Sequence, residues 1–351
     1  MMIQDNKLYK QDIHTIANVN LPWDRLKNKK ILISGASGMI GSFLIDVLMY
    51  RNEHFNDNCT VIALGRDMSK AQVKFRPYWD SEYFSFFSHD INKPLSHIGD
   101  IDFIVHAASN THPVAYATDP VGTMTTNIIG TYNLLNYAVE HKTERFLFTS
   151  SVEIYGENRG DVEKFHESYC GYIDCNTLRA GYPESKRAGE ALCQAFIKQY
   201  GLDVVIARLS RTYGPTMLET DTKAISQFIK NGVAKQDIVL KSEGTQFYSY
   251  SYVADAVSGV LTILLKGDCG QAYNISDQDS DITLKELAKI IASYVGKNVV
   301  FELPDKIEQA GYSKATKAVM SSEKLKSLGW EAKYNIRSGL ERTIEILSKL
   351  E

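Results

Sequence analysis

The chain has 351 residues, enough for one large α/β unit and a smaller appended one. Its 44% hydrophobic and 23% charged residues exclude a mainly disordered chain. A formal net charge of −3 lacks the basic excess that nucleic acid or an acidic membrane surface would demand. The five cysteines (Cys59, Cys170, Cys175, Cys193, Cys269) lack metal-finger spacing. They read as reduced thiols of a cytoplasmic protein, with no metal expected. No apolar run approaches the ~18 residues that cross a bilayer, and the stretch through Lys30 lacks a signal-peptide core.

Residues 1–28 read as an N-terminal arm, with a short helix over Leu8–Ala17 and a turn at Pro22. Trp23 and Leu26 are expected to pack on the edge of the main body. Ile31-Leu32-Ile33 suits a buried parallel strand. A glycine loop follows, then an amphipathic helix through Phe43, Leu44, Val47 and Leu48. Further strands are predicted at Thr60–Leu64, Tyr83–Phe87, Ile101–Val105 and Arg145–Thr149, with a helix over Thr125–Glu140. A helix over Gly181–Tyr200, stopped by Gly201, leads to a strand at Val204–Ala207. The alternation implies an α/β fold, a Rossmann-type doubly wound parallel sheet over residues 29–210. Residues 211–351 form a smaller α/β C-terminal substrate domain interleaved with returns to that sheet, with helices near 222–231, 253–266, 283–296, 321–328 and 336–350. Tyr248-Ser-Tyr250-Ser-Tyr252 reads as a strand with one wet face. The aromatic group from Phe75 to Phe87 reads as core and strand rather than a sugar-stacking surface.

Gly35, Gly38 and Gly41 follow a strand and open a helix. Gly35 permits a tight turn, Gly38 lets backbone approach a pyrophosphate, and Gly41 lets helix pack on strand. The amides of Ser37, Met39, Ile40 and their neighbours then face the diphosphate of a nicotinamide dinucleotide. The second strand ends in Leu64-Gly65-Arg66-Asp67, where such proteins read the adenosine ribose. Arg66 suits a 2′-phosphate and Asp67 a free 2′-hydroxyl. Both NAD and NADP stay open, with NAD the preferred reading. Asp90-Ile91 is expected at the adenine. His106-Ala107-Ala108 is expected as a close-approach loop beneath the cofactor, with His106 either in contact or a satisfied buried histidine.

Tyr182-Pro-Glu-Ser-Lys186 sets a phenol and an ammonium one helical turn apart. The pair lies after a strand ending Thr149-Ser150-Ser151. A tyrosine acting as base near neutrality must fall by roughly three pKa units, a cost of about 4 kcal/mol. The Lys186 cation and a positive nicotinamide ring are expected to supply that shift. Ser151 would hold the reacting oxygen.

Together GASGMIG (Gly35–Gly41), the HAAS segment at His106, TNIIGT at Thr126–Thr131, SSVEIYG at Ser150 and YPESK at Tyr182 resemble the extended short-chain dehydrogenase/reductases. Over residues 28–345 the chain is similar to their nucleotide-sugar epimerase/dehydratase group. The resemblance implies a C-terminal sugar-nucleotide domain, a homodimer through a helix pair, and transient oxidation of a sugar hydroxyl, usually at C4. It gives Ser151, Tyr182 and Lys186 as the catalytic triad, with Asn127 supporting the polar network at the cofactor.

Within that group, Glu153 stands where 4,6-dehydratases and UDP-glucuronate decarboxylases carry a glutamate, for catalysis or substrate binding. Dehydratases carry an aspartate just before it. Val152 stands there instead and cannot donate a proton. Arg187, Arg208–Met217, Gly244–Gln246 and Tyr252–Asp255 follow the order seen in UDP-glucuronate decarboxylases. Two substrate-binding positions depart from that pattern: Arg211 replaces an asparagine and Tyr248 an arginine. Net epimerisation through a C4 ketone is therefore the leading expectation. Glu153 is a possible base for proton abstraction beside the ketone. UDP-glucuronate decarboxylation, 4,6-dehydration, NADPH-dependent 4-ketosugar reduction and non-catalytic NAD(P) binding are the alternatives.

Overall fold

Ile31 lies level with Val61 on one side and Phe103 on the other, and parallel pairing spreads outward from there. The strands are β1 (Lys30–Ser34), β2 (Thr60–Gly65), β3 (Phe84–Ser88), β4 (Phe103–His106), β5 (Arg145–Ser151) and β6 (Val204–Leu209). After β7 (Arg211–Tyr213), β8 (Ile238–Leu240) and β9 (Phe247–Tyr252), the chain returns to the sheet as β10 (Ala272–Ile275). The seven parallel strands run in the order β3-β2-β1-β4-β5-β6-β10. The computed structural model describes residues 2–96, 98–111, 113–302 and 315–350.

The central strands are apolar on both faces because helices cover both. Leu32, Ile33, Val61, Ile104, Val105, Phe146, Leu147 and Val205 have no exposed surface. Each contributes about 1.5–3 kcal/mol by leaving water. The order reverses between β1 and β4, and in doubly wound sheets that reversal opens a crevice at the carboxyl ends of the strands. The candidate site residues of β1, β4 and β5 all lie at those ends.

The helices are α1 (Lys7–Ala17), α2 (Met39–Phe55), α3 (Met68–Lys74), α4 (Pro113–Thr118), α5 (Pro120–Glu140), α6 (Gly181–Tyr200), α7 (Ala224–Val233), α8 (Val253–Lys266), α9 (Leu284–Val295), α10 (Glu323–Lys326) and α11 (Ile336–Ser348). Helix α5 starts five residues earlier than its pattern predicts. Asp119 accepts from the Gly122 amide at 3.0 Å and Pro120 occupies the first turn, where its missing N–H costs nothing. Helix α6 ends as expected, with Gly201 at φ +70. Helix α8 is buried on all sides, from Val253 to Leu265. It packs against β6 of the main sheet and against α1 and α2. Among the described residues no helix is long and apolar enough to cross a membrane.

The N-terminal arm docks through buried polar contacts. The Tyr9 phenol donates to Asp46 of α2 at 2.5 Å. Asp12 accepts from Tyr252 of β9 at 2.6 Å and from Arg342 of α11 at 2.8 Å. Trp23 and Leu26 are buried, with the Arg51 guanidinium 4.0 Å from the Trp23 ring centroid.

The expected wet face of β9 is absent. Tyr248, Tyr250 and Tyr252 are buried, and so are Ser249 and Ser251. The strand pairs with β7, β11 (Asp281–Thr283) and β13 (Lys317–Ala318). Protein fills the serine side: Ser251 shares a hydrogen bond with Ser210 at 2.7 Å, and Ser249 accepts from the Met320 amide at 3.0 Å. Strand β8 pairs with β12 (Val299–Phe301). The helix predicted near 321–328 is only the four residues of α10.

Candidate active site

The glycine loop is dictated by contacts. Gly35 has φ +69, and a Cβ there would lie 2.7 Å from the Ala107 carbonyl and the Ala108 Cα. A Cβ on Gly41 would fall 2.5 Å from the Gly35 oxygen. Gly38 differs: its Cβ would meet only the Gly35 oxygen, at 3.1 Å, and otherwise face open space. Gly38 opens α2 without a side-chain cap, and the Ser42 amide makes the first bond back to its carbonyl at 3.0 Å. The amides of Met39, Ile40 and Gly41 therefore have no acceptor within the helix. An uncapped helix start beneath an open glycine fits a diphosphate. Ser37 is fixed from α3, where Lys74 donates to its carbonyl at 2.9 Å.

Arg66 and Asp90 stand past the ends of β2 and β3, on the other side of the switch point from β5. The Arg66 side chain is exposed. Asp67 caps α3, accepting from the Lys70 amide at 3.0 Å. Asp90 closes a turn onto the Asn92 amide at 3.0 Å, and Ile91 is buried against Gly130 of α5.

His106 is a satisfied buried strut. It spans from Ser34 Oγ, 2.7 Å from Nδ1, to Thr131 Oγ1, 3.0 Å from Nε2. Thr131 already donates to the Asn127 carbonyl at 2.6 Å, so it accepts from His106 Nε2–H. Nδ1 then accepts from Ser34, whose oxygen takes the Ala108 amide at 3.3 Å. Burial and the nearby Lys186 push its pKa down to about 3, so the ring stays neutral.

Ser151 ends β5, Tyr182 occupies the first turn of α6, and Lys186 lies one turn later on the same face. Ser151 lies close enough to the Tyr182 phenol to lower its pKa. The phenol stacks on Tyr116 of α4, centroids 4.8 Å apart. Lys186 donates to the Thr149 carbonyl at 2.9 Å. Burial pushes Tyr182 up to about 12, outweighing Ser151 and Arg179, which lower it. The expected lowering is thus reversed in the protein alone. Burial brings Lys186 down to about 7, opposed by Glu190 and Cys193.

Asn127 locks α5 to α6. It accepts from Ser109 at 2.8 Å and donates to Ser185 at 2.9 Å, and Ser185 donates to the Tyr182 carbonyl at 2.8 Å.

Glu153 follows Ser151 in a short 3₁₀ turn and is no solvated loop residue. Arg179 donates to it at 2.8 Å and Arg211 reaches it at 3.5 Å. Burial alone would raise its carboxyl, but Arg179 and Arg211 hold it below the usual carboxylate range. A proton-donating role has no support in that setting. Arg211 in turn lies over the Tyr248 ring, 3.5 Å from its centroid. Glu153, Arg179 and Arg211 border a cavity of about 110 Å³ that also touches Val152, Pro183 and Ala318. Sequence reasoning passed over Arg179 and Tyr116; the one available signal was Arg179's place three residues before Tyr182.

The seven parallel strands with helices on both faces form a Rossmann-type α/β fold. The profile of the NAD dependent epimerase/dehydratase family matches residues 31–276, and the chain belongs to that family. UDP-glucuronic acid decarboxylase 6 of Arabidopsis thaliana is 32% identical over 313 residues, 89% of this chain and 87% of the relative. UDP-glucuronic acid decarboxylase 1 of Danio rerio is 30% identical over 92% of this chain and 73% of its own length. Among solved structures, the dTDP-glucose 4,6-dehydratase of Streptomyces venezuelae with NAD and TYD bound shares the fold at TM-score 0.79 and 24% identity, covering 91% of this chain and 97% of its own. The UDP-glucuronic acid 4-epimerase of Bacillus cereus, in complex with UDP-glucuronic acid and NAD, aligns at TM-score 0.77 and 21% identity, over 92% and 100%.

Proposed function

We propose that the chain oxidises a nucleotide-linked sugar at C4, holds the ketone, and reduces it again from the other face, giving net epimerisation. The observation that carries this is Tyr182 placed beside Ser151 and one turn from Lys186, at the carboxyl end of β5. Tyr182 takes the C4 hydroxyl proton while Ser151 steadies the oxygen on which charge develops. The dinucleotide held by Gly35–Gly41 supplies the hydride acceptor and a positive charge, which opposes the burial that raises the phenol. Lys186, anchored on Thr149, adds a cation whose burial leaves it readily deprotonated. The neutral His106 strut and the Asn127 bridge hold β1, β4, α5 and α6 in register around these groups. For return of the hydride to the opposite face, the ketosugar turns over within the site.

A second reading, decarboxylation, is favoured by the decarboxylase relatives and by the two arginines at Glu153. A ketone at C4 makes a C6 carboxylate a β-keto acid. The C5–C6 bond breaks, CO2 leaves, and its electron pair passes into an enolate that is protonated at C5 before C4 is reduced.

The same reading takes the chain as a homodimer through α5 and α6, whose surfaces expose Val121, Ile129, Tyr132 and Tyr200. The experiment is incubation with UDP-, CDP-, GDP- and dTDP-linked sugars, read by mass and NMR. A product of unchanged mass and inverted C4 supports epimerisation, and loss of CO2 supports the second reading. No turnover of any of them by cofactor-loaded protein contradicts both.

A further inference from the structure

The family profile begins at residue 31, so the N-terminal arm precedes it. The arm nevertheless reaches toward the dinucleotide loop. Gln4 and Tyr9 converge on Asp46, a buried carboxylate of α2, the helix that the glycine loop opens. Tyr9 donates to Oδ2 at 2.5 Å, and Gln4 and Tyr78 donate to Oδ1 at 3.2 and 2.9 Å. Burial raises the Asp46 carboxyl, and these three donors oppose the rise by favouring its charged form.

Lys74, the last residue of α3, joins this group. Gln4 also donates to its backbone carbonyl at 3.4 Å. Burial lowers the Lys74 pKa, and the charge on Asp46 opposes that through space. The Lys74 ammonium donates to the Ser37 carbonyl at 2.9 Å. Burying a cation to satisfy one carbonyl is a poor exchange if stability is all it serves.

The carbonyl it grips has a special place. That oxygen belongs to the planar peptide whose N–H is that of Gly38, and this N–H donates to the Gly35 carbonyl at 2.9 Å. The peptide is therefore held at both edges, directly before the amides of Met39, Ile40 and Gly41. Turning of that plane is taken up partly at Gly38, which faces open space and has no Cβ to resist it. Lys74 supplies the restraint that the glycine lacks. A loop already in its binding geometry loses less freedom when a diphosphate arrives. The ammonium also adds a positive charge close to where that anion would sit.

We propose that Lys74 is a positioning residue for the dinucleotide, and that the N-terminal arm acts through Asp46 to keep its ammonium on the Ser37 carbonyl. This rests on reading Gly35–Gly41 as the diphosphate cradle.

The test is calorimetric titration of the full chain with NAD, each variant held well below its melting temperature. Lys74→Met should weaken NAD binding about tenfold, as loss of one charge-assisted hydrogen bond does. Lys74→Arg keeps a cation and a donor and should recover most of the affinity. Lys74→Gln, the second variant should Lys74→Met fail to fold, should lie between them. Tyr9→Phe should weaken NAD in the parent by a smaller factor and have no further effect in Lys74→Met. Unchanged NAD affinity in Lys74→Met or, where that variant does not fold, in Lys74→Gln overturns the proposal. So does a loss that Lys74→Arg does not recover, which marks a merely structural role. Equal effects of Tyr9→Phe in the two backgrounds overturn the part given to the arm. Failure of the parent to bind NAD overturns the cradle reading and the proposal together.

Discussion

The Lys186 ammonium donates to the carbonyl of Thr149 at 2.9 Å, tying α6 to β5 two residues before Ser151. This contact fixes α6, which carries the proposed base Tyr182, against the end of β5, where Ser151 stands near the phenol. Lys186→Met removes both the anchor and the charge. It should lower the rate of hydride transfer by about a hundredfold or more. Lys186→Arg should not restore it, because Lys186 is buried and a planar guanidinium does not reproduce the point contact of its ammonium with the Thr149 carbonyl. Single-turnover kinetics on the two variants check this.

Tyr182→Phe keeps the ring that stacks on Tyr116 and removes only the hydroxyl. Turnover should fall by at least about a thousandfold, with dinucleotide affinity and melting temperature close to the parent. Retained turnover would mean that another group takes the proton.

The three glycines should fail in different ways. Gly41→Ala drives a methyl to 2.5 Å from the Gly35 oxygen, and Gly35→Ala combines a 2.7 Å clash with φ +69. Both should destabilise the fold by roughly 1–3 kcal/mol, as overpacking and strain do. Gly38→Ala meets protein only at 3.1 Å, so it should leave stability nearly intact and weaken dinucleotide binding instead. Urea denaturation beside cofactor titration separates the two behaviours.

His106 makes a pH-dependent contribution of predictable sign. Its folded pKa is about 3 against about 6.5 unfolded, so between those values the unfolded chain binds the extra proton. The contribution is complete above about pH 6.5 and is lost as the pH falls toward 3. Denaturation at pH 7 and pH 5 should show an acid loss in the parent protein that is smaller in His106→Asn. An identical loss in both would show that the histidine is not held neutral.

Much of this was legible before any coordinates because single residues carried it. Ile31-Leu32-Ile33 reads as a parallel strand since both its faces must be dry, and the glycine spacing names its own sterics. Tyr182 and Lys186 share a helix face by simple periodicity. What stayed hidden depends on pieces far apart in sequence. Alternation along Tyr248–Tyr252 shows which residues share a face, but not that Ser210 and Met320 would cover the serines. The neutral His106 follows only once β1 and β4 pair with Ser34 level with it. Arg179 lies in a turn without periodicity, and its place three residues before Tyr182 points to the site but not to Glu153. The start of α5 was misjudged although Asp119-Pro120 is a sound capping signal, because the apolar pattern is clearer further along.

The central claim is reversible hydride transfer at a nucleotide sugar by Tyr182 with Ser151 and Lys186. Rapid mixing of the dinucleotide-loaded protein with the nucleotide sugar that it turns over, followed by absorbance at 340 nm, tests it most directly. The account predicts a transient rise that decays as product forms, with no net change in cofactor, and no rise in Tyr182→Phe. Product formation without any transient in the parent, even with a C4-deuterated substrate to slow the step, or with label lost from C4 to solvent, would contradict it.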